Sequence, residues 1–123
     1  MILTLLITGC ASNKPIKIGF VGTLTGQTSE VAIAGRSGVE IAMDEINCSG
    51  GVNGRPIELV VKDSLNDTEI AKKVADEFLK EDIKLVIGDF TSNLTKSALE
   101  IIDGKDILYL SPTASSDYFN EKD

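Results

Sequence analysis

Residues 85–97, LVIGDFTSNLTKS, run from a short apolar strand through a turn and into a helix. Leu85, Val86 and Ile87 are apolar, and Gly88 follows at once as a turn signal. Thr91, Ser92 and Asn93 carry the short hydroxyl and amide side chains that favour helix N-termini. A helix that starts just past a strand end points its first N–H groups into one crevice. In open α/β sheets that crevice is where ligands sit. A second apolar strand, Ile107 to Leu110, ends in a comparable polar loop, Ser111 to Ser116. Two such loops side by side make one half of a small-molecule site.

The remaining chain reads as the scaffold that sets the loops together. Lys17 to Gly22 is the first strand, and its continuous apolar character suits a strand covered on both faces. A helix is predicted from about Ser29 to Asn47, with Val31, Ala34, Gly38, Ile41, Ala42 and Ile46 turned inward. Ser49, Gly50, Gly51, Asn53 and Gly54 mark a turn region, and Pro56 precedes a second strand, Ile57 to Lys62. Asp67 is a candidate N-cap for a helix over Thr68 to Lys80, with Ile70, Val74 and Phe78 on one face and Ala71, Ala75 and Leu79 beside them. The helix opened by residues 91–93 runs to about Ile102, with Leu94, Ala98, Leu99 and Ile102 inward and Gly104 as a C-cap candidate. Tyr118 and Phe119 open one more helix. Strands and helices alternate, which predicts an α/β fold: a three-layer αβα sandwich on a mostly parallel sheet with right-handed crossovers.

Composition narrows the function. A chain of 123 residues supports one domain, burying roughly two-thirds of its unfolded surface. With 42% apolar residues it reads as a packed globule. A net charge of −7 opposes binding to nucleic acid or to anionic headgroups. The chain has no histidine, which excludes imidazole acid–base chemistry and histidine metal sites. Cys10 and Cys48 are too few for a disulfide framework. No cofactor and no metal site is expected: Asp63, Asp67 and Glu69 read as a solvated loop.

The first ten residues are apolar up to Cys10 and too short to span a bilayer, which takes about 20 apolar residues. They read as the end of a secretion signal, with a buried N-terminal strand as the competing reading. Ile7-Thr8-Gly9-Cys10 resembles a bacterial lipobox, in which the cysteine is lipidated and becomes the new N-terminus, although no basic residue precedes it. The expected organisation is a signal end and lipobox at 1–10, a tether at 11–16 and a binding lobe at 17–123.

KIGFVGTLTG, GVEIAMDEIN, GGVNGRPIELVVKDSLND, LVIGDFTSNLT and LYLSPTAS follow one another in order. Together they resemble the N-terminal lobe of the type I periplasmic binding proteins, in particular the Leu/Ile/Val-binding branch. The likeness covers Lys17 to Phe119. It implies a non-catalytic, exported substrate-binding component of an ABC importer for amino acids or related amides. The implied partners are a small-molecule ligand and a membrane permease, with a lipid anchor on Cys10 at the periplasmic or cell surface. Carried over by position, Ser92 would offer its hydroxyl and N–H to the ligand, and Phe90 and Thr91 would line the pocket, partly through their carbonyls. Thr113 would offer its carbonyl and Ser115 its hydroxyl. A carboxylate wants N–H and O–H donors at a positive helix end, and an ammonium wants carbonyls. The aromatic residue that relatives often place near the start of the first helix is missing from Gly26 to Val31. On this resemblance the second lobe and hinge strands are absent, so the chain reads as a fragment, a truncated product or an incomplete sequence, with a sheet edge open where later strands belong.

Other readings fare less well. Gly19, Gly22 and Gly26 lack the GxGxxG spacing of a dinucleotide-binding turn. A phosphate-receiver domain needs acidic residues where the first strand instead ends in glycine and threonine. The closest rival keeps the fold and changes the task, to the extracellular ligand-sensing domain of a receptor. A non-functional truncated fragment is the other alternative.

Overall fold

The computed structural model describes residues 14–119. The signal-like segment, Cys10 and the first part of the tether lie outside the described residues. Four parallel strands, β1 (Ile16–Gly22), β2 (Ile57–Asp63), β3 (Leu85–Ile87) and β4 (Leu108–Leu110), form one sheet in the order β2-β1-β3-β4. Between them run α1 (Glu30–Cys48), α2 (Thr68–Lys80) and α3 (Ser92–Ile102). The expected second strand, second helix and third strand stand within one residue of these bounds. The expected final helix is a single 3₁₀ turn, Asp117–Phe119.

The three layers follow from the alternation of β1. Val21 packs against Val74 and Phe78 of α2 on one face. Phe20 faces the other way, its ring centroid 5.7 Å from that of Phe90. Gly22 lies on that same face, where a Cβ would meet Ala32 of α1. Helices α2 and α3 thus share one side through Ala75, Ala98 and Ile102, and α1 holds the opposite side. Gly19 lets the central strand approach α2: a Cβ there would lie 2.9 Å from Val86 and 3.0 Å from Phe78.

Local chemistry sets the boundaries. Asp67 stands in extended conformation and accepts from the N–H groups of Glu69 and Ile70, which is why α2 starts at Thr68. Gly104, at φ +68°, follows the last turn of α3 in the left-handed conformation that glycine adopts without strain. The Asn47 amide donates to the Ile57 carbonyl and accepts from its N–H, clamping the end of α1 to the start of β2.

The inward face expected for α1 is corrected. Val31 and Ile41 are 57% and 62% exposed, and Ala34, Gly38, Ala42 and Ile46 are exposed as well. The residues turned to the sheet are Ala32 and Met43, with Val39 half-buried beside them. The apolar arc of α1 is wider than the strip that meets β1 and β2, so periodicity alone does not choose which edge is covered. Leu108 and Leu110 of the edge strand β4 project on this same side and are also exposed. Among the described residues, the α1 side of the sheet is therefore covered over β1 and β2 and open over β4.

Candidate functional site

The site is built at the carboxyl ends of β3 and β4. The Gly88 N–H extends the ladder to the Leu110 carbonyl at 2.9 Å, and the chain then turns through Asp89, which is fully buried. The Asp89 N–H donates to the Tyr109 hydroxyl at 2.7 Å. Its carbonyl accepts from the hydroxyls of Thr95 and Ser111 at 3.1 and 2.5 Å. Its Oδ1 accepts from the Ser64 hydroxyl at 2.9 Å, and that hydroxyl oxygen lies 3.5 Å from the Thr23 hydroxyl. One residue thus ties together the ends of β2, β3 and β4 and the first turn of α3. Its Oδ2 has no hydrogen-bond partner among the described residues. Burial pushes its carboxyl up to about 6; the Ser64 hydrogen bond opposes the rise and the Asp63 charge adds to it. Burial likewise pushes the Tyr109 hydroxyl well above its ordinary range, so it stays neutral.

Upon this base sit the two polar loops. Thr91 is the N-cap of α3, in extended conformation and without a side-chain cap bond, and Ser92 opens the helix. The Ser115 N–H donates to the Ser92 hydroxyl at 3.2 Å, and the Thr113 hydroxyl donates to the Phe90 carbonyl at 2.7 Å. These two straps hold Phe90, Thr91 and Ser92 against Thr113 and Ser115 at the N-terminus of α3. The five residues expected from the sequence are therefore brought together, with two differences of detail. The Phe90 carbonyl already accepts one hydrogen bond, and the Phe90 ring turns back under α1 into space left by Gly22 and Gly35. There it lines an apolar groove of about 460 Å³ together with Val31, Ala42, Ile87 and Pro112. Cys10 lies outside the described residues.

A third loop closes the same end of the sheet. The Asp63 carboxylate accepts from the N–H groups of Leu24 and Leu65 at 2.9 and 2.8 Å and from the Thr25 hydroxyl at 2.8 Å. Burial alone would raise this carboxyl, but those three donors outweigh it and hold it below its ordinary value. Asp63 thus spends its oxygens on two backbone N–H groups and a hydroxyl, Asp67 Oδ1 takes two backbone N–H groups, and Glu69 pairs with Lys72 at 3.1 Å. Sequence reasoning missed Asp89, Ser64, Tyr109 and Ser111. The available signal was weak: Thr23 and Ser64 directly follow the paired positions Gly22 and Asp63, so two hydroxyls leave neighbouring strands at the same height.

Two polar loops strapped together at the carboxyl ends of adjacent parallel strands, one of them opening a helix, define an α/β lobe with a crevice of the ligand-binding kind. The chain belongs to the periplasmic binding protein family, whose sequence pattern matches residues 15–123. It is 33% identical over 101 residues to the leucine-, isoleucine-, valine-, threonine- and alanine-binding protein of Pseudomonas aeruginosa, covering 82% of this chain and 27% of that protein. It is 30% identical over 114 residues to the Leu/Ile/Val-binding protein of Escherichia coli, covering 93% of this chain and 31% of that protein. The fold is similar to that of the branched-chain amino acid transporter substrate-binding protein LivJ of Streptococcus pneumoniae in complex with isoleucine. That likeness has a TM-score of 0.82 and 32% identity, and covers 88% of this chain and 31% of the other. The chain thus spans under a third of the length of these relatives and corresponds to an N-terminal lobe of the type I fold, of the Leu/Ile/Val-binding branch.

Proposed function

We propose that this chain carries the first-lobe half of an amino-acid site in a non-catalytic substrate-binding component of an ABC importer. The observation that supports it is the pair of straps, Ser115 to Ser92 and Thr113 to Phe90, which gathers donors and carbonyls at a helix N-terminus. In this reading the Ser92 hydroxyl and the first N–H groups of α3 take the ligand carboxylate, and the carbonyls around Thr113 take its ammonium. Thr91 and Ser115 complete the rim. The relatives named for leucine, isoleucine and valine favour a branched-chain amino acid as the solute. The partner is a membrane permease. The protein is exported and held at the membrane by lipid on Cys10, each buried CH₂ adding about 0.8 kcal/mol of membrane affinity. Intact-mass analysis of the native, detergent-extracted protein is expected to show a lipid increment on Cys10; an unmodified cysteine would remove the anchor from this reading.

The binding test is calorimetry with isoleucine, leucine and valine. One lobe encloses little of a ligand, so dissociation constants in the millimolar range are expected for this chain. Ser92→Ala is expected to weaken binding by roughly tenfold or more, the worth of one hydrogen bond to a charged group. No heat of binding with any of the three, in protein shown to be folded, would overturn the reading.

A further inference from the structure

The loops rest on a carboxyl that takes no part in their straps. Asp89 is fully buried, it holds the turn between β3 and α3 through three hydroxyls at its own backbone, and one oxygen of its carboxyl has no partner among the described residues. The groups that face it are few. From the end of β2 come the Ser64 hydroxyl and the Asp63 carboxylate; from β4 and the loop after it come the neutral Tyr109 hydroxyl and the Ser111 hydroxyl; from α3 comes the Thr95 hydroxyl; and behind Ser64 stands Thr23. The one charge among these is negative, so it does not help an ionised Asp89. A buried neutral carboxyl costs less to desolvate than a buried carboxylate, which demands further donors. Asp89 directly precedes Phe90, Thr91 and Ser92, and its own N–H and carbonyl hold their turn, so a carboxylate in search of donors acts on that turn through the same residue.

Resting on the reading of these loops as an amino-acid site, we propose that Asp89 is a positioning residue whose protonation sets the ligand loop, so that capture is tighter in acid and looser once the buried carboxyl ionises. The sign follows from where the proton is held. In the unfolded chain the group ionises near its ordinary value of 3.8, and in the fold only near about 6. The stabilisation from the buried neutral form is therefore complete below the first value and is lost as pH rises through the second.

The experiment follows the backbone amide resonances of Asp89, Ser92 and Ser115 in the ligand-free chain between about pH 4.5 and 7.5. It pairs them with isoleucine calorimetry over the same range, for the native chain and for Asp89→Asn. The expected result is a common amide midpoint near 6 that is absent from the variant. Affinity should fall by at least about threefold toward neutral pH in the native chain and stay flat in the variant. A structural role alone would move the variant's affinity by the same factor at every pH. Amides that do not titrate near the expected midpoint overturn the proposal whether or not isoleucine binds, and they decide it even when the variant does not fold. Titrating amides with no isoleucine binding at any pH overturn the amino-acid reading and, with it, the coupling to capture.

Discussion

Gly88→Ala is expected to cost about 2–6 kcal/mol, a large part of the stability of this chain. Gly88 is buried, adopts φ +130°, and sits where an added Cβ would run into the carbonyl of Val21. The obstacle is backbone, and it belongs to β1, which is paired on both sides by β2 and β3 and has no room to withdraw. An L-residue held in this region of φ costs about 1–3 kcal/mol. Overpacking against a fixed neighbour costs about 1–3 kcal/mol again. A small domain has only about 5–15 kcal/mol to lose. Urea denaturation should show the midpoint collapsing, and amide exchange should show the Gly88 to Leu110 hydrogen bond opening. Gly38 is the control, since a Cβ added there would meet nothing within 4 Å. An alanine at that position should raise stability by up to about 1 kcal/mol through helix propensity. Equal effects at the two glycines would mean that the turn after β3 is not built as described.

The same contrast explains how much was legible in the sequence. Helix α2 was readable to the residue because Asp67 marks its start and its apolar stripe is narrow: Val74 and Phe78 go in while Lys73 stays out. Strand β3 was readable because three apolar residues run straight into a glycine. Helix α1 offered no such restriction. Val31, Ile41, Ala32 and Met43 are all apolar, and only the placement of the sheet decides that the last two are covered. The loops themselves were legible as polar strand ends, and their residues do come together. Their support was not. Asp89 meets Ser64 across 25 positions and Tyr109 across 20, and such pairings exist only once the parallel register of β2, β3 and β4 is set. The seat of the Phe90 ring was hidden for a related reason: the space it fills is made by the absence of side chains at Gly22 and Gly35, on two other elements.

Phe78→Ala is expected to cost about 3–5 kcal/mol, the range for removing a buried aromatic side chain. The upper part of that range applies here because the surroundings are poorly able to collapse into the void. Opposite the ring lies Gly19, with no side chain to move in, and around it stand Val21, Val74, Ile83 and Val86, each already buried and packed. Above it the Lys62 ammonium sits 5.6 Å from the ring centroid, held there by Glu77 and Glu81 at 2.8 and 2.7 Å. Those ion pairs are part-exposed and worth little on their own, so they do not offset the loss. Phe78→Leu keeps much of the volume, and it should lose roughly half as much. Equilibrium urea curves decide the matter: both midpoints should fall in that order with the slope unchanged, as expected when stability alone has changed. Because Phe78 holds β1 and β3 from the α2 side, loss of binding in these variants should track the unfolded fraction. The Phe90 side of the sheet would otherwise be left intact. Binding lost from protein that remains fully folded would show that the α2 core reaches the site by more than holding the strands in place.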